Sequence, residues 1–136
     1  MKSRNHSNAL LIELLIVVLF FALSGTVLLQ VFTASSAQSQ RAAVINEALV
    51  AAQNVAERLC AVGAEEDRAV EALAALGFQQ NGDSGWEQDR DGYCLRVTLD
   101  MEKRDAGQML LARIEASKGA EILFAFPAAR YEEAQP

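Results

Sequence analysis

The chain contains a long apolar run with one charge inside it. From Ala9 to Leu29 the 21 residues are mostly Leu, Ile, Val, Phe and Ala, and Glu13 is the only charged residue among them. At about 1.5 Å of rise per residue, a helix of this length spans the roughly 30 Å hydrocarbon core of a bilayer. A carboxylate at the bilayer centre costs on the order of 2.5–3.5 kcal/mol on insertion scales. The run therefore predicts a membrane-spanning helix in which Glu13 needs a partner.

Charge predicts how this helix is oriented. Lys2, Arg4 and His6 form a basic flank before the run. The positive-inside rule places that flank in the cytoplasm and the chain after Gln30 outside, as in a single-pass protein of the cell membrane. The run is longer than the apolar core of a secretory signal peptide, although cleavage near residues 34–37 stays an alternative. We divide the chain into a cytoplasmic leader (1–8), a transmembrane part (9–30), an extracytoplasmic helical part (31–62) and a head domain (63–136).

The helical pattern continues past the membrane. No proline occurs before Pro127, and an apolar stripe recurs at spacings of three and four residues. We expect one continuous helix from Leu10 to Cys60, ended by Gly63. A second, shorter helix is predicted from Glu65 to Leu76. The stripe on the long helix consists of Ile45, Ala48, Leu49, Ala52, Ala56 and Leu59.

The rest of the head has the pattern of short strands joined by turns. The predicted strands are 86–89, 93–101, 108–116 and 121–126, and their connections suit an antiparallel meander. Ile122, Phe124 and Phe126 are expected on one face of the last strand. Pro127 should end that strand or mark a sheet edge, and the tail 130–136 should be loose. The expected fold is α+β, with a sheet of three or four strands packed on the outer half of the long helix.

Composition argues against catalysis and against nucleic acid as a partner. The single histidine, His6, lies in the leader, and no catalytic triad or metal-ligand spacing occurs beyond the membrane. We expect no enzyme activity, no cofactor and no metal, and we interpret Asp83, Glu87, Asp89 and Asp91 as a solvated acidic turn. Without Lys2, Arg4 and Glu13, the 12 basic and 18 acidic residues become 10 and 17, a net charge of −7. Such a surface repels nucleic acid.

The two cysteines, Cys60 and Cys94, both lie in the predicted extracytoplasmic part, where a disulfide can form. The alternation around Cys94 places it on the polar face of its strand with Arg96 and Thr98. Cys60 lies at the end of a helix that should pack on the opposite, apolar face. Two unpaired thiols are therefore the expectation, and a Cys60–Cys94 disulfide is the alternative.

The segment from Leu11 to Val18, LIELLIVV, resembles the amino-terminal signature of type IV pilins and pseudopilins. The resemblance covers about a dozen residues. In that family a membrane peptidase cuts off a basic leader, and a glutamate lies fifth from the cut. The resemblance makes Glu13 that glutamate, Ala9 the first mature residue and Asn8 the residue before the cut. It implies a pilin-like structural subunit of a pilus, secretion or competence machine, with other pilin-like subunits and a prepilin peptidase as partners.

The sequence also departs from the family pattern. Asn8 stands where the family has glycine, Ala9 where it has phenylalanine, and Leu10 where threonine is common. The alternative function is therefore an uncleaved single-pass protein that presents its head domain to a protein partner. For Glu13, the alternative to an intramembrane contact is a position near the cytoplasmic interface, where its carboxylate reaches headgroups or water.

Overall fold

The computed structural model describes residues 2–83 and 85–134, with side chains from Ser7 onward. It consists of a 61-residue helix, a short second helix and five strands. In chain order these are α1 (Lys2–Val62), α2 (Glu66–Ala75), β1 (Gln79–Gln80), β2 (Gly85–Arg90), β3 (Tyr93–Arg104), β4 (Gly107–Lys118) and β5 (Glu121–Glu133). The chain divides into two compact units, one up to Ala42 and one from Ala43 onward, and α1 contributes to both.

The strands form one antiparallel meander in the order β1-β2-β3-β4-β5. This confirms the predicted α+β fold, with a sheet of five strands where we expected three or four. The additional strand, β1, contains only two glutamines, which pair with Trp86 and Glu87. Because β1 has no alternating apolar residues, its sequence did not predict a strand. It is a strand only because it pairs with β2.

The core of the second unit lies between one face of α1 and one face of the sheet. Small side chains on α1, such as Ala48 and Ala52, belong to the same buried cluster as Leu95, Val97 and Ile114 from the centre of the sheet. The apolar alternation predicted for β3 and β4 is confirmed, because these strands bury every second residue along most of their length. At about 25 cal/mol per Å² of buried apolar surface, this contact is the main source of stability for the unit.

The buried face of α1 is rotated from the predicted stripe. Ala51 and Val55 are buried, whereas Leu49 is 37% exposed. The buried residues still have helical spacing, but they are smaller on average than those of the predicted stripe. They are Ala48, Ala51, Ala52, Val55 and Leu59. Small side chains let the helix approach the sheet closely, and this selects the face that is buried.

The prediction of a loose tail from residue 130 is wrong for residues 130–133. β5 continues past Pro127 to Glu133, while Gln135 and Pro136 lie outside the described residues. The Tyr131 hydroxyl and the Ala134 amide both donate to the Ala106 carbonyl oxygen, at 2.8 and 3.0 Å. The Glu132 carboxylate accepts a hydrogen bond from the Ala64 amide at 2.9 Å. These bonds hold the last residues of the strand against two loops that lie far away in sequence.

Gly107, at the start of β4, makes this arrangement possible. A Cβ atom there would collide with the carbonyl oxygen of Glu132 and would lie 2.8 Å from the Tyr131 hydroxyl. Only a residue without a side chain allows β5 to pass so close. The proline itself is tolerated because β5 is at the edge of the sheet, which was one of the two positions expected for Pro127.

The shared face predicted for Ile122, Phe124 and Phe126 is also wrong in one respect. Phe124 pairs with Ala116 and Phe126 with Ile114, so both face the core. The register shifts between Ala116 and Ser117, and Ile122 pairs with Ser117 on the opposite face, where it is 58% exposed. Leu123 is the extra residue of this bulge. Ile122, which precedes it, therefore faces the opposite side of the sheet from Phe124.

The buried hydroxyl of Tyr93 predicts how one substitution changes the stability of the head. Tyr93 is 4% exposed, and its hydroxyl has no hydrogen-bond partner among the described residues. Because a buried unsatisfied hydroxyl is destabilising, Tyr93→Phe should raise the free energy of unfolding by about 1 kcal/mol. Urea unfolding of the full chain in detergent, followed by the fluorescence of the single tryptophan Trp86, measures the change.

Tyr131→Phe is the matched control because it removes the same atom from a tyrosine whose hydroxyl does donate a hydrogen bond. This variant should lose about 0.5–1.5 kcal/mol. A loss of stability in Tyr93→Phe as large as that in Tyr131→Phe would contradict the interpretation of the Tyr93 hydroxyl.

Candidate functional site

The first unit is a helix whose apolar side chains are uncovered. Within Leu10–Phe32 the large apolar side chains of α1 are 45–75% exposed. The helix is long and apolar enough, by length and composition, to cross a membrane. In water a surface of this kind would be strongly unfavourable at about 25 cal/mol per Å², so it requires lipid or protein around it.

Glu13 lies on this surface with an exposed side chain. Its neighbours one turn away on α1 are Ala9, Leu10, Ile16 and Val17, all apolar. Within the side chains that the structure describes, from residue 7 onward, no group donates a hydrogen bond to Glu13 or forms an ion pair with it. The side chains of Lys2, Arg4 and His6, expected to form the basic flank, lie outside the described residues. Glu13 is thus a carboxylate presented on an apolar helix surface.

Two threonine hydroxyls in this part of the helix bond to its own backbone. The Thr26 hydroxyl donates to the Ala22 carbonyl oxygen at 2.9 Å. The Thr33 hydroxyl donates to the carbonyl oxygens of Leu29 and Gln30, at 3.1 and 3.0 Å. Bonds of this kind let a hydroxyl enter an apolar environment without an external partner. A carboxylate has no hydrogen to donate, so the helix backbone offers Glu13 no such solution.

Asn8 and Ala9, the residues expected to flank a leader cut, are both exposed on α1. The peptide bond between them lies inside the helix, which begins at Lys2. A peptidase that cuts here would have to bind this part of the chain in an unwound form. The five residues from Ala9 to Glu13 place the carboxylate about one helical turn from the potential new amino terminus.

Cys60 and Cys94 form no disulfide in the structure. Cys60 lines a small space with Leu110, Ala112 and Ala128, which belong to the helix-facing side of the sheet. Cys94 lies on the other side, between its strand partners Asp89 and Ser117. The sheet separates the two sulfur atoms, so a Cys60–Cys94 disulfide would need a rearrangement of the head.

Charged side chains form a network on the outer face of the sheet, which the sequence did not reveal. Glu87 on β2 accepts hydrogen bonds from Asn81 at 2.7 Å and from Arg96 Nε at 2.6 Å. These two bonds lower the pKa of the Glu87 carboxyl. Arg96 also lies 4.0 Å from Glu115 on β4. Glu87, one of the four residues of the predicted acidic turn, is thus held by an amide and a guanidinium.

Within residues 7–83 and 85–134, no three His, Cys, Asp or Glu side chains are grouped as metal ligands would be. A cleft of about 690 Å³ on the head contains cations and carboxylates side by side. Lys103 and Arg104, which are adjacent in sequence, lie in it together with Glu132 and Glu133. Arg104 is also paired with Glu102 at 2.6 Å. The cleft therefore presents no single charge to a ligand.

A comparison of the chain with protein-family models, with curated proteins and with solved structures finds no match.

The environment of Cys94 predicts how this thiol reacts. Partial burial raises the pKa of Cys94, and the nearby carboxylates of Asp89 and Glu87 raise it further. Since the thiolate is the reactive form, alkylation should need a more alkaline pH than that of an ordinary thiol. In a Cys60→Ala background, Asp89→Asn should shift the alkylation profile to lower pH and increase the rate at mildly alkaline pH.

The measurement is the rate of iodoacetamide labelling against pH, followed by intact mass. Asp100→Asn is the matched control, because Asp100 is an exposed acid on the same strand that does not act on Cys94. An alkylation profile that Asp89→Asn leaves unchanged would contradict the assigned role of Asp89.

Proposed function

We propose that this protein is a pilin-like, membrane-anchored structural subunit that assembles with other pilin-like subunits through α1. The proposal rests on the LIELLIVV segment and on the architecture around it. α1 carries an uncovered apolar surface in the first unit and packs on an antiparallel sheet in the second. By the positive-inside rule, the proposed subunit has its leader in the cytoplasm and its head outside the membrane. The class of machine proposed is a pilus, a secretion pseudopilus or a competence apparatus.

The observation that carries the proposal is the isolated charge of Glu13. No other charged residue occurs from Ala9 to Gln40, and the carboxylate has no partner among the described side chains. In a bundle of such helices, a cation on a neighbour would offset the cost of burying it. The resemblance to pilins implies which cation this is: the amine of the neighbour's Ala9, which exists only after the bond that follows Asn8 is cut.

Asn8 supports a second candidate, an uncleaved single-pass protein whose head binds a protein partner. With an intact leader there is no amine at Ala9, and Glu13 would pair with Lys2 or Arg4 of a neighbour or with a cation of another helix. The two candidates therefore differ in one chemical fact, the state of the bond between Asn8 and Ala9.

Processing of the leader separates these candidates. The full chain is expressed in membranes with and without a prepilin peptidase, and its intact mass is measured. The pilin-like proposal expects loss of residues 1–8 only when the peptidase is present. Asn8→Gly, which restores the glycine of the family, should be cut at least as completely as the natural sequence.

The Asn8→Gly variant also makes a negative result informative. If this variant is cut and the natural chain stays intact in the same membranes, the processed-subunit proposal is wrong and the uncleaved candidate is favoured. If neither chain is cut while an unrelated pilin is cut, the segment is not a peptidase substrate and the resemblance fails at this point.

Glu13→Gln tests the assembly contact itself. Removing the charge makes membrane insertion easier, so the variant should insert as well as the natural chain. Its capture of a differently tagged copy of the chain should fall about ten-fold or more, a loss of about 1.4 kcal/mol or more. The measurement is co-purification from mild detergent after co-expression of the two copies.

Glu57→Gln is the matched control for this experiment. Glu57 is an exposed acid on the same helix, in the part that packs on the sheet, and its substitution should leave capture unchanged. Normal capture by the Glu13→Gln variant would mean that the carboxylate lies at the membrane interface and makes no assembly contact.

A further inference from the structure

The sheet has one long open edge. β5 contains 13 residues and pairs on one side only, with β4, in the part of the chain that the structure describes. The opposite edge strand, β1, has two residues. An edge of this length exposes backbone N–H and C=O groups that can pair with a strand of another molecule.

The sequence of β5 makes this edge prone to such pairing. Residues 122–129, ILFAFPAA, contain no charged side chain. Leu123, Phe124 and Phe126 are only half-buried and pack at the border of the core, and the two phenylalanine rings stack with centroids 6.1 Å apart. An uncharged, apolar stretch of this length with aromatic residues is typical of segments that add strands to one another. Pro127 is the residue in it that departs from this pattern.

The ladder shows which way the backbone nitrogen of Pro127 points. Pairing with β4 runs without a break from Ala125 to Glu133, and Pro127 takes its place in it opposite Arg113. Antiparallel ladders alternate between residues that bond across the ladder and residues whose N–H and C=O point away from it. Since proline has no N–H, it fits within a continuous ladder only at a position of the second kind. Its nitrogen therefore faces the open edge.

We propose that Pro127 blocks strand addition at β5 and so keeps the heads of separate molecules from joining through their sheets. The proline removes an outward donor near the middle of the edge, and its ring occupies the place where a partner strand's carbonyl group would lie. The register shift at Ser117 strengthens the effect, because a bulge bends the first residues of the strand. The inference concerns the head alone and holds whether or not the chain is pilin-like.

The test uses the full chain at one copy per nanodisc, so that molecules meet only through their heads. Sedimentation velocity at increasing concentration measures association between discs. The natural chain should remain as single discs. Pro127→Thr restores the outward N–H with a residue that favours strands, and the dissociation constant for its heads should fall at least about ten-fold. Far-UV circular dichroism and the Trp86 fluorescence melt verify the fold of each variant.

Two further variants attribute the effect to the proline. Ala129→Thr adds the same side chain two residues along the same edge and keeps Pro127, so it should behave like the natural chain. Adding Ala129→Pro to the Pro127→Thr variant returns a proline to the next outward position, opposite Leu111, and should restore single discs.

If Pro127→Thr folds and stays as single discs, the proposal is overturned. It is equally overturned if Ala129→Thr associates as strongly, or if the natural chain already associates through its heads. Pro127→Ala is a second test of the proposal, because it restores the N–H with a smaller change in the folded strand. A folded Pro127→Ala variant that does not associate more than the natural chain also rejects the inference.

Discussion

The contact between the small-residue face of α1 and the apolar face of the sheet is the interaction on which the rest of the head depends. Neither element can bury its apolar surface alone, because the meander has one apolar face and α1 only a narrow stripe. Ala48 and Ala52 allow the helix to lie close to Leu95 and Ile114 at the centre of the sheet. α2 and Phe78 extend the same core toward the edge formed by β1 and β2.

That core also explains why the two parts of α1 differ in chemistry. From Ala43 onward the helix has a protein partner, and its exposed positions carry charged and amide side chains such as Glu47, Asn54 and Glu57. Within Leu10–Phe32 the large apolar side chains are 45–75% exposed, and they lie on all sides of the helix. A helix that is apolar all round belongs in lipid or in a bundle, and Glu13 is the single charged residue between Ala9 and Gln40.

Much of this could be predicted from local patterns. Periods of 3.6 and 2 residues located both helices and the four longer strands, and the single charge in the apolar run identified Glu13. The alternation around Cys94 predicted that its side chain lies on the polar face of the sheet, away from α1. The outer-face pairing of Glu87 with Arg96 could not be predicted in this way, since it requires the register between β2 and β3.

The sequence by itself thus determined a membrane-length helix, its one charged residue and a meander with one apolar face, all of which depend on residues close together in the chain. Tertiary structure alone decided that α1 buries Val55 in place of Leu49, that Ile122 faces outward, and that β5 continues past Pro127 to Glu133. Each of these depends on a distant partner: the surface of the sheet, the register with Ser117, and the space that Gly107 leaves beside Glu132. Local patterns contain no information about such partners, because the fold brings them together only when the core forms.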